Sequence, residues 1–242
     1  MDRPGGGGLD HAAYAGAIRI RAVAAPHGYD LIVQQLIPGY ASLARLAVAL
    51  LAVSPLASAN AAPVLVVGCG TGAELVEARA QRPDWELTAL DPSAEMIAAA
   101  QARVGQAGIH WRQSTVEQLA EGARYAGALS VLVLQSLPDD GSKLAFLSAL
   151  ARSLQPGGQL VLVDRMASER SPLRRQVEAA LLGFQRASGL QASAEELVPL
   201  TQGLHPIGEA RLAALVEAAG FSDPARVFQA LGYEGFLLQR RS

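Results

Sequence analysis

Apolar positions change their period several times along this chain. From 29 to 53 they recur at helical spacing, interrupted at Pro38-Gly39. Short apolar runs then alternate with amphipathic stretches: "PVLVV" (63–67), a helix from Ala73, "WELTAL" (85–90), a helix from Ser93 and "IHWRQ" (109–113). A short helix near Glu117, "ALSVLVL" (128–134), a helix over 139–154 and "QLVLVD" (159–164) complete the series. The 139–154 helix shows the period well, with Leu144, Leu147, Leu150 and Leu154 on one face. Strands that are apolar on both faces and separated by such helices predict a parallel sheet covered on both sides.

The alternation stops between 165 and 206. "SPLRRQVEAALLGFQRAS" and "SAEELVPL" read as helices with no strand between them, and Leu173, Val177, Leu181 and Phe184 form one apolar stripe on the first. A last helix over 208–219 meets Gly220, a helix-stopping residue. Residues 225–240 then read as two strands joined around Gly232. The expected organisation is a flexible segment over 1–28, Gly-rich at its start, and one domain over 29–242 with a helical insertion at 166–206.

Composition narrows the function. The 242 residues are 50% hydrophobic and 17% charged, as in a globular protein, with a net charge of −2. Basic residues cluster only in pairs such as Arg174-Arg175, so nucleic acid is not an expected partner. One cysteine and four widely spaced histidines, His11, His27, His110 and His205, give no metal-site spacing, and no metal is expected. The longest apolar stretch, 43–57, is interrupted by Arg45 and ended by Pro55, short of the ~20 residues of a membrane span. It is expected to be a buried helix, with no membrane partner. The N-terminus carries no apolar core of secretory length, so the expected location is cytoplasmic.

The candidate chemistry begins where "VLVVGCGTGAEL" ends a strand on Gly68, Gly70 and Gly72. The first amides of the following helix lack partners and carry partial positive charge. Glycine lets a ligand approach that backbone, so the three are expected to form a ligand shelf. Gly68-x-Gly70-x-x-Ala73 also fits a dinucleotide fingerprint. Asp91 follows the second strand, nineteen residues after Gly72, where a carboxylate can accept from both ribose hydroxyls. Its alternative role is a helix N-cap with Pro92 at the first helical position. Cys69 at this helix start can be an activated thiol, or a small residue that fills space.

Together, "VLVVGCGTGAEL", "LTALDPSAEMI", "LQPGGQLVLVD" and the terminal hairpin resemble the class I S-adenosylmethionine-dependent methyltransferases, over about 29–240. The resemblance implies an α/β, Rossmann-like, seven-stranded sheet, mostly parallel with an antiparallel last strand slotted between the fifth and sixth. Helices cover both faces and a helical lid is inserted. It further implies S-adenosylmethionine as cofactor, with Gly68, Cys69 and Gly70 flanking its methionine and ribose and Asp91 on the ribose. Pro92 and Met96 then lie beside the adenosine, and Thr115 and Val116 beside the adenine. Thr115 stands where the family usually has Asp. Ser130 and Gln135 point toward the methionine end and the substrate.

"YDLIVQQLIPGY" and Phe184-Gln185-Arg186-Ala187-Ser188-Gly189 resemble the carboxy-S-adenosylmethionine synthases, which implies a cofactor contact for Tyr40. Those enzymes hold an extra carboxylate with an arginine in the insertion and an asparagine after the fourth strand. Here 187–210 has no Arg or Lys, and Val131 stands in the asparagine's place. A buried carboxylate without a cation is costly. The expected activity is therefore direct methyl transfer to a small, apolar acceptor, with His205, Arg186 and Gln135 as catalytic candidates. A synthase-like enzyme that modifies the cofactor, or a catalytically silent cofactor-binding protein, is the alternative. A homodimer is compatible with this reading.

Overall fold

The computed structural model describes residues 26–120, 122, 124–167, 172–190 and 203–242. The chain opens on two helices, α1 (Pro26–Leu36) and α2 (Tyr40–Ala52). The helical pattern begins at Pro26 rather than 29, with proline in the first turn, where its missing N–H costs nothing. The break between them falls at Pro38-Gly39, as the pattern predicts. Leu43, Ala47, Val48 and Leu51 of α2 are buried, so one face of the longest apolar stretch is core, while Leu46 and Val53 remain exposed. Among the described residues no single helix is long and apolar enough to cross a membrane.

Strand and helix then alternate: β1 (Pro63–Val67), α3 (Ala73–Gln81), β2 (Glu86–Leu90), α4 (Ala94–Val104), β3 (Ile109–Arg112), β4 (Tyr125–Val131), α5 (Ser142–Ser153) and β5 (Leu154–Arg165). After α6 (Arg174–Ala187) and α7 (Glu209–Ala219) come β6 (Ala225–Ala230) and β7 (Tyr233–Gln239). Gly220 closes α7 in a left-handed conformation. The second helix expected in the insertion, "SAEELVPL", falls outside the described residues, as does 1–25 of the N-terminal segment.

The seven strands run in the order β3-β2-β1-β4-β5-β7-β6. β1 to β5 pair in parallel, and β7 is antiparallel to both β5 and β6. This is the Rossmann-like arrangement that the resemblance implies. Side chains on one face of the sheet, such as Val64 and Val66, pack with Leu43, Val48 and Leu51. Those on the other, such as Leu65, Val67 and Leu162, pack with Phe146, Leu150, Leu215 and Phe221.

Two strands differ from their apolar patterns: β5 starts at Leu154, which the helical period placed in the preceding helix, rather than at 159. β4 covers 125–131, not 128–134. Leu132 has φ 61 and leaves the sheet, and Leu134–Ser136 form a 3-10 turn with Leu134 buried. The apolar run outlasts the strand because the turn after it is also core.

Candidate functional site

β1 and β4 are adjacent, and their carboxyl ends leave a crevice of the kind that holds ligands in open α/β sheets. Its walls are Tyr40, Gly68, Cys69, Gly70, Thr71, Ala73, Glu74, Val131, Leu132 and Val133, around about 400 Å³ of space open to solvent. Of the expected cofactor contacts, Tyr40, Gly68, Cys69 and Gly70 are thus brought to one cleft.

Backbone geometry explains the glycines. Gly68 and Gly70 have φ 65 and 50, a region that side chains disfavour. A Cβ on Gly68 would lie 2.5 Å from Val133 Cγ2, so the turn and the loop after β4 can approach only because it is glycine. A Cβ on Gly70 would meet nothing nearer than 3.9 Å, leaving its backbone bared. Gly72 differs from the expected shelf role. A Cβ there would sit 3.2 Å from both Ala100 and Val104, so this glycine lets α3 pack closely on α4.

Asp91 is fully buried behind the turn. Its Oδ2 accepts from the Gly70 N–H (3.0 Å) and its Oδ1 from the Ser93 N–H (2.9 Å). The N-cap alternative is excluded, because Ser93 is the N-cap of α4 and its Oγ accepts from the Met96 N–H at 3.3 Å. Pro92 precedes that cap. Ser114 N–H bonds to the Asp91 carbonyl, which sets Thr115 and Val116 beside the end of β2. Val116 and Met96 are buried.

Above the turn, Thr71 Oγ1 donates to Asp30 Oδ1 (2.6 Å) and Arg103 Nη1 to Asp30 Oδ2 (2.6 Å), tying α1 across the glycines to α4. Glu74 was not singled out by its sequence. It looks like an ordinary acid in a helix's first turn, yet it lines the cleft at 7% exposure. Burial pushes its carboxyl up to about 7, and nearby Asp30 adds to the rise.

The remaining candidates separate. Ser130 is fully buried beside Val67 and Leu162, within the sheet rather than on the cleft wall. Gln135 is a brace: its Oε1 accepts from Arg165 N–H, its N–H donates to Asp164 Oδ1, and its carbonyl accepts from His205 N–H. The His205 side chain is exposed and adjoins Asp140. Arg186 is exposed on the last turn of α6. Gln135 and His205 are thus joined through their backbones, but the Gln135 side chain is buried against Arg165 N–H while those of His205 and Arg186 are exposed.

Beneath the brace lies a buried pair. Asp164 Oδ2 accepts from Leu134 N–H, and Lys143 Nζ donates to the Leu134 carbonyl. Both side chains are nearly or fully inaccessible, and desolvation raises the Asp164 carboxyl while lowering the Lys143 ammonium. Lys143 is the only lysine in the chain, but nothing in its local sequence marks it as buried.

Comparison with known proteins bears on the fold. Residues 64–158 match the family model described as a methyltransferase domain. A ubiquinone biosynthesis O-methyltransferase of Bradyrhizobium sp. is 35% identical over 101 residues, 41% of this chain and 38% of that one. The chain spans less than two fifths of the length of the curated relatives it matches. Burkholderia thailandensis 1,6-didemethyltoxoflavin-N1-methyltransferase, solved with S-adenosylhomocysteine, has a TM-score of 0.62 at 20% identity, covering 100% of this chain and 94% of that one. Human N-acetylserotonin methyltransferase in complex with SAM has a TM-score of 0.60 at 17% identity, covering 96% and 58%. The protein therefore has the class I methyltransferase fold. The segment that matches the family model, 64–158, carries the glycine turn, Asp91 and β4.

Proposed function

We propose that the protein is an S-adenosylmethionine-dependent methyltransferase acting on a small, largely apolar acceptor. The observation that carries this reading is the cleft itself, with bared glycine backbone at its floor, Asp91 behind it and the buried acid Glu74 in its wall. The residues fit a cationic adenosyl ligand. The Gly68–Gly70 backbone and Tyr40 would flank it, Asp91 would accept from its ribose, and Glu74 would face its positive charge. When bound, the cofactor supplies a methyl group already activated by the sulfonium.

The protein's part is then to align two reactants and exclude water, which can contribute on the order of 7–11 kcal/mol. The described cleft wall contains no histidine, so a proton held by an acceptor hydroxyl leaves to solvent or to a group brought by the acceptor's own pocket. The wall also contains no arginine or lysine, while Glu74 is acidic. That supports the ordinary sulfonium over its carboxylated form. Gln135 acts as a positioning residue in this reading.

Calorimetry with S-adenosylmethionine, S-adenosylhomocysteine and NAD tests the assignment. The first two should bind and NAD should not; tight NAD binding without a response to the sulfonium overturns it.

A further inference from the structure

A second opening lies at the carboxyl end of β5, between α6 and the β6–β7 turn, and encloses about 660 Å³ of space open to solvent. Met166, Val177, Leu181 and Leu231 form much of its wall. Val177 remains 38% exposed, and the adjacent Leu173 60% exposed, so the apolar stripe of α6 is only partly covered. The turn is held in place by Met166 N–H, which donates to the Gly232 carbonyl at 2.8 Å.

Two arginines line this opening, and they differ. Arg174 is engaged by Glu178 one helical turn away, at 3.3 Å. The half-buried Arg165 side chain has no hydrogen bond or ion pair to any described residue. Its backbone is fixed, with Arg165 paired to Tyr233 across β5 and β7 and its N–H bonded to Gln135 Oε1. The pocket therefore presents apolar walls, the Arg174–Glu178 pair and, in Arg165, a positioned cation that acts on the nearby Tyr233 hydroxyl and has no acidic partner among the described residues. A guanidinium in such a place gains most from a planar anion that accepts two hydrogen bonds.

The position suits an acceptor. Strands in a sheet lie about 5 Å apart, and β1 is two strands from β5, so the cleft and this pocket open roughly 10 Å from each other. The loop over 131–136 connects them: Val131 to Val133 line the cleft, and Gln135 contacts Arg165. We infer that this pocket binds the methyl acceptor, and that the acceptor is a small apolar molecule bearing one carboxylate held by Arg165. The inference rests on the methyltransferase reading and adds the chemical class of the substrate.

The experiment measures dissociation constants of 4-hydroxybenzoate and of its methyl ester, with and without saturating S-adenosylhomocysteine. The proteins are the wild type, Arg165→Gln and Arg165→Lys. The wild type should bind the acid at least tenfold more tightly than the ester. Arg165→Gln should erase that preference, Arg165→Lys should keep part of it, and all three should bind S-adenosylhomocysteine equally. Equal binding of acid and ester by the wild type overturns the inference. So does a preference that survives Arg165→Gln, or no binding of either probe at millimolar concentration. Loss of S-adenosylhomocysteine binding in the wild type, with the acid preference intact, would instead sink the cofactor reading and leave the pocket's anion site standing.

Discussion

Single residues in the cleft divide between those that shape it and those that charge it. Gly70→Ala should fold with only backbone strain, because its Cβ meets nothing nearer than 3.9 Å, yet it should weaken S-adenosylhomocysteine tenfold or more by covering the bared backbone. Gly72→Ala should do the reverse and lower the melting temperature at little cost in affinity, since its Cβ presses on Ala100 and Val104. Calorimetry and thermal melts on both variants separate the roles. Glu74 makes a pH-dependent prediction. Its folded carboxyl lies at about 7 against an ordinary value of 4.5, so the folded state holds the proton more tightly. The unliganded protein should then lose stability as pH rises from about 4.5 through 7, by about 3 kcal/mol at most. Glu74→Gln should flatten that fall, and its gain in melting temperature should be larger at pH 8 than at pH 5. An equal gain at both would show that the carboxyl does not titrate in this range.

At the scale of elements, the 3-10 turn over Leu134–Ser136 depends on groups from two others, Asp164 of β5 and Lys143 of α5. Removing one partner of a buried pair leaves an uncompensated charge, typically 3–5 kcal/mol. Lys143→Met should therefore destabilise strongly, and the double variant with Asp164→Asn should recover part of the loss. Denaturant melts on the four-member cycle measure the coupling, and additive losses would deny it. Such dependence also explains which parts were legible. The glycine turn, Asp91 and the helix breaks at Pro38-Gly39 and Gly220 announce themselves through local backbone chemistry. Glu74, Lys143 and Asp164 do not, because a charged residue's burial is decided by what packs over it from elsewhere in the chain. The end of β4 was misplaced for a related reason, since an apolar run marks burial, and the turn after β4 is buried too.

Across the whole molecule, two helical layers on a mostly parallel sheet were readable from the alternation of apolar runs and amphipathic stretches. The strand order was not, for periodicity says nothing of which strands pair. The place of β7 came from the family resemblance. That the Gln135 side chain turns inward as a brace while His205 and Arg186 are exposed was likewise invisible, because burial is decided by what packs over a residue from elsewhere.

That placement of β7 has a consequence for how the protein is made. β5 ends at residue 165, but its partner strand spans 233–239, so nearly seventy residues are synthesised before the pairing can form. Contacts so distant along the chain form slowly. Until they do, β5 offers an open hydrogen-bonding edge flanked by Leu160 and Leu162, the kind of edge that recruits other chains. A ribosome-bound chain halted near residue 220 should expose that edge to chaperones and to its own copies. Release of residues 225–239 should cap it, which crosslinking of stalled nascent chains at successive lengths would show as an abrupt loss of chaperone contact.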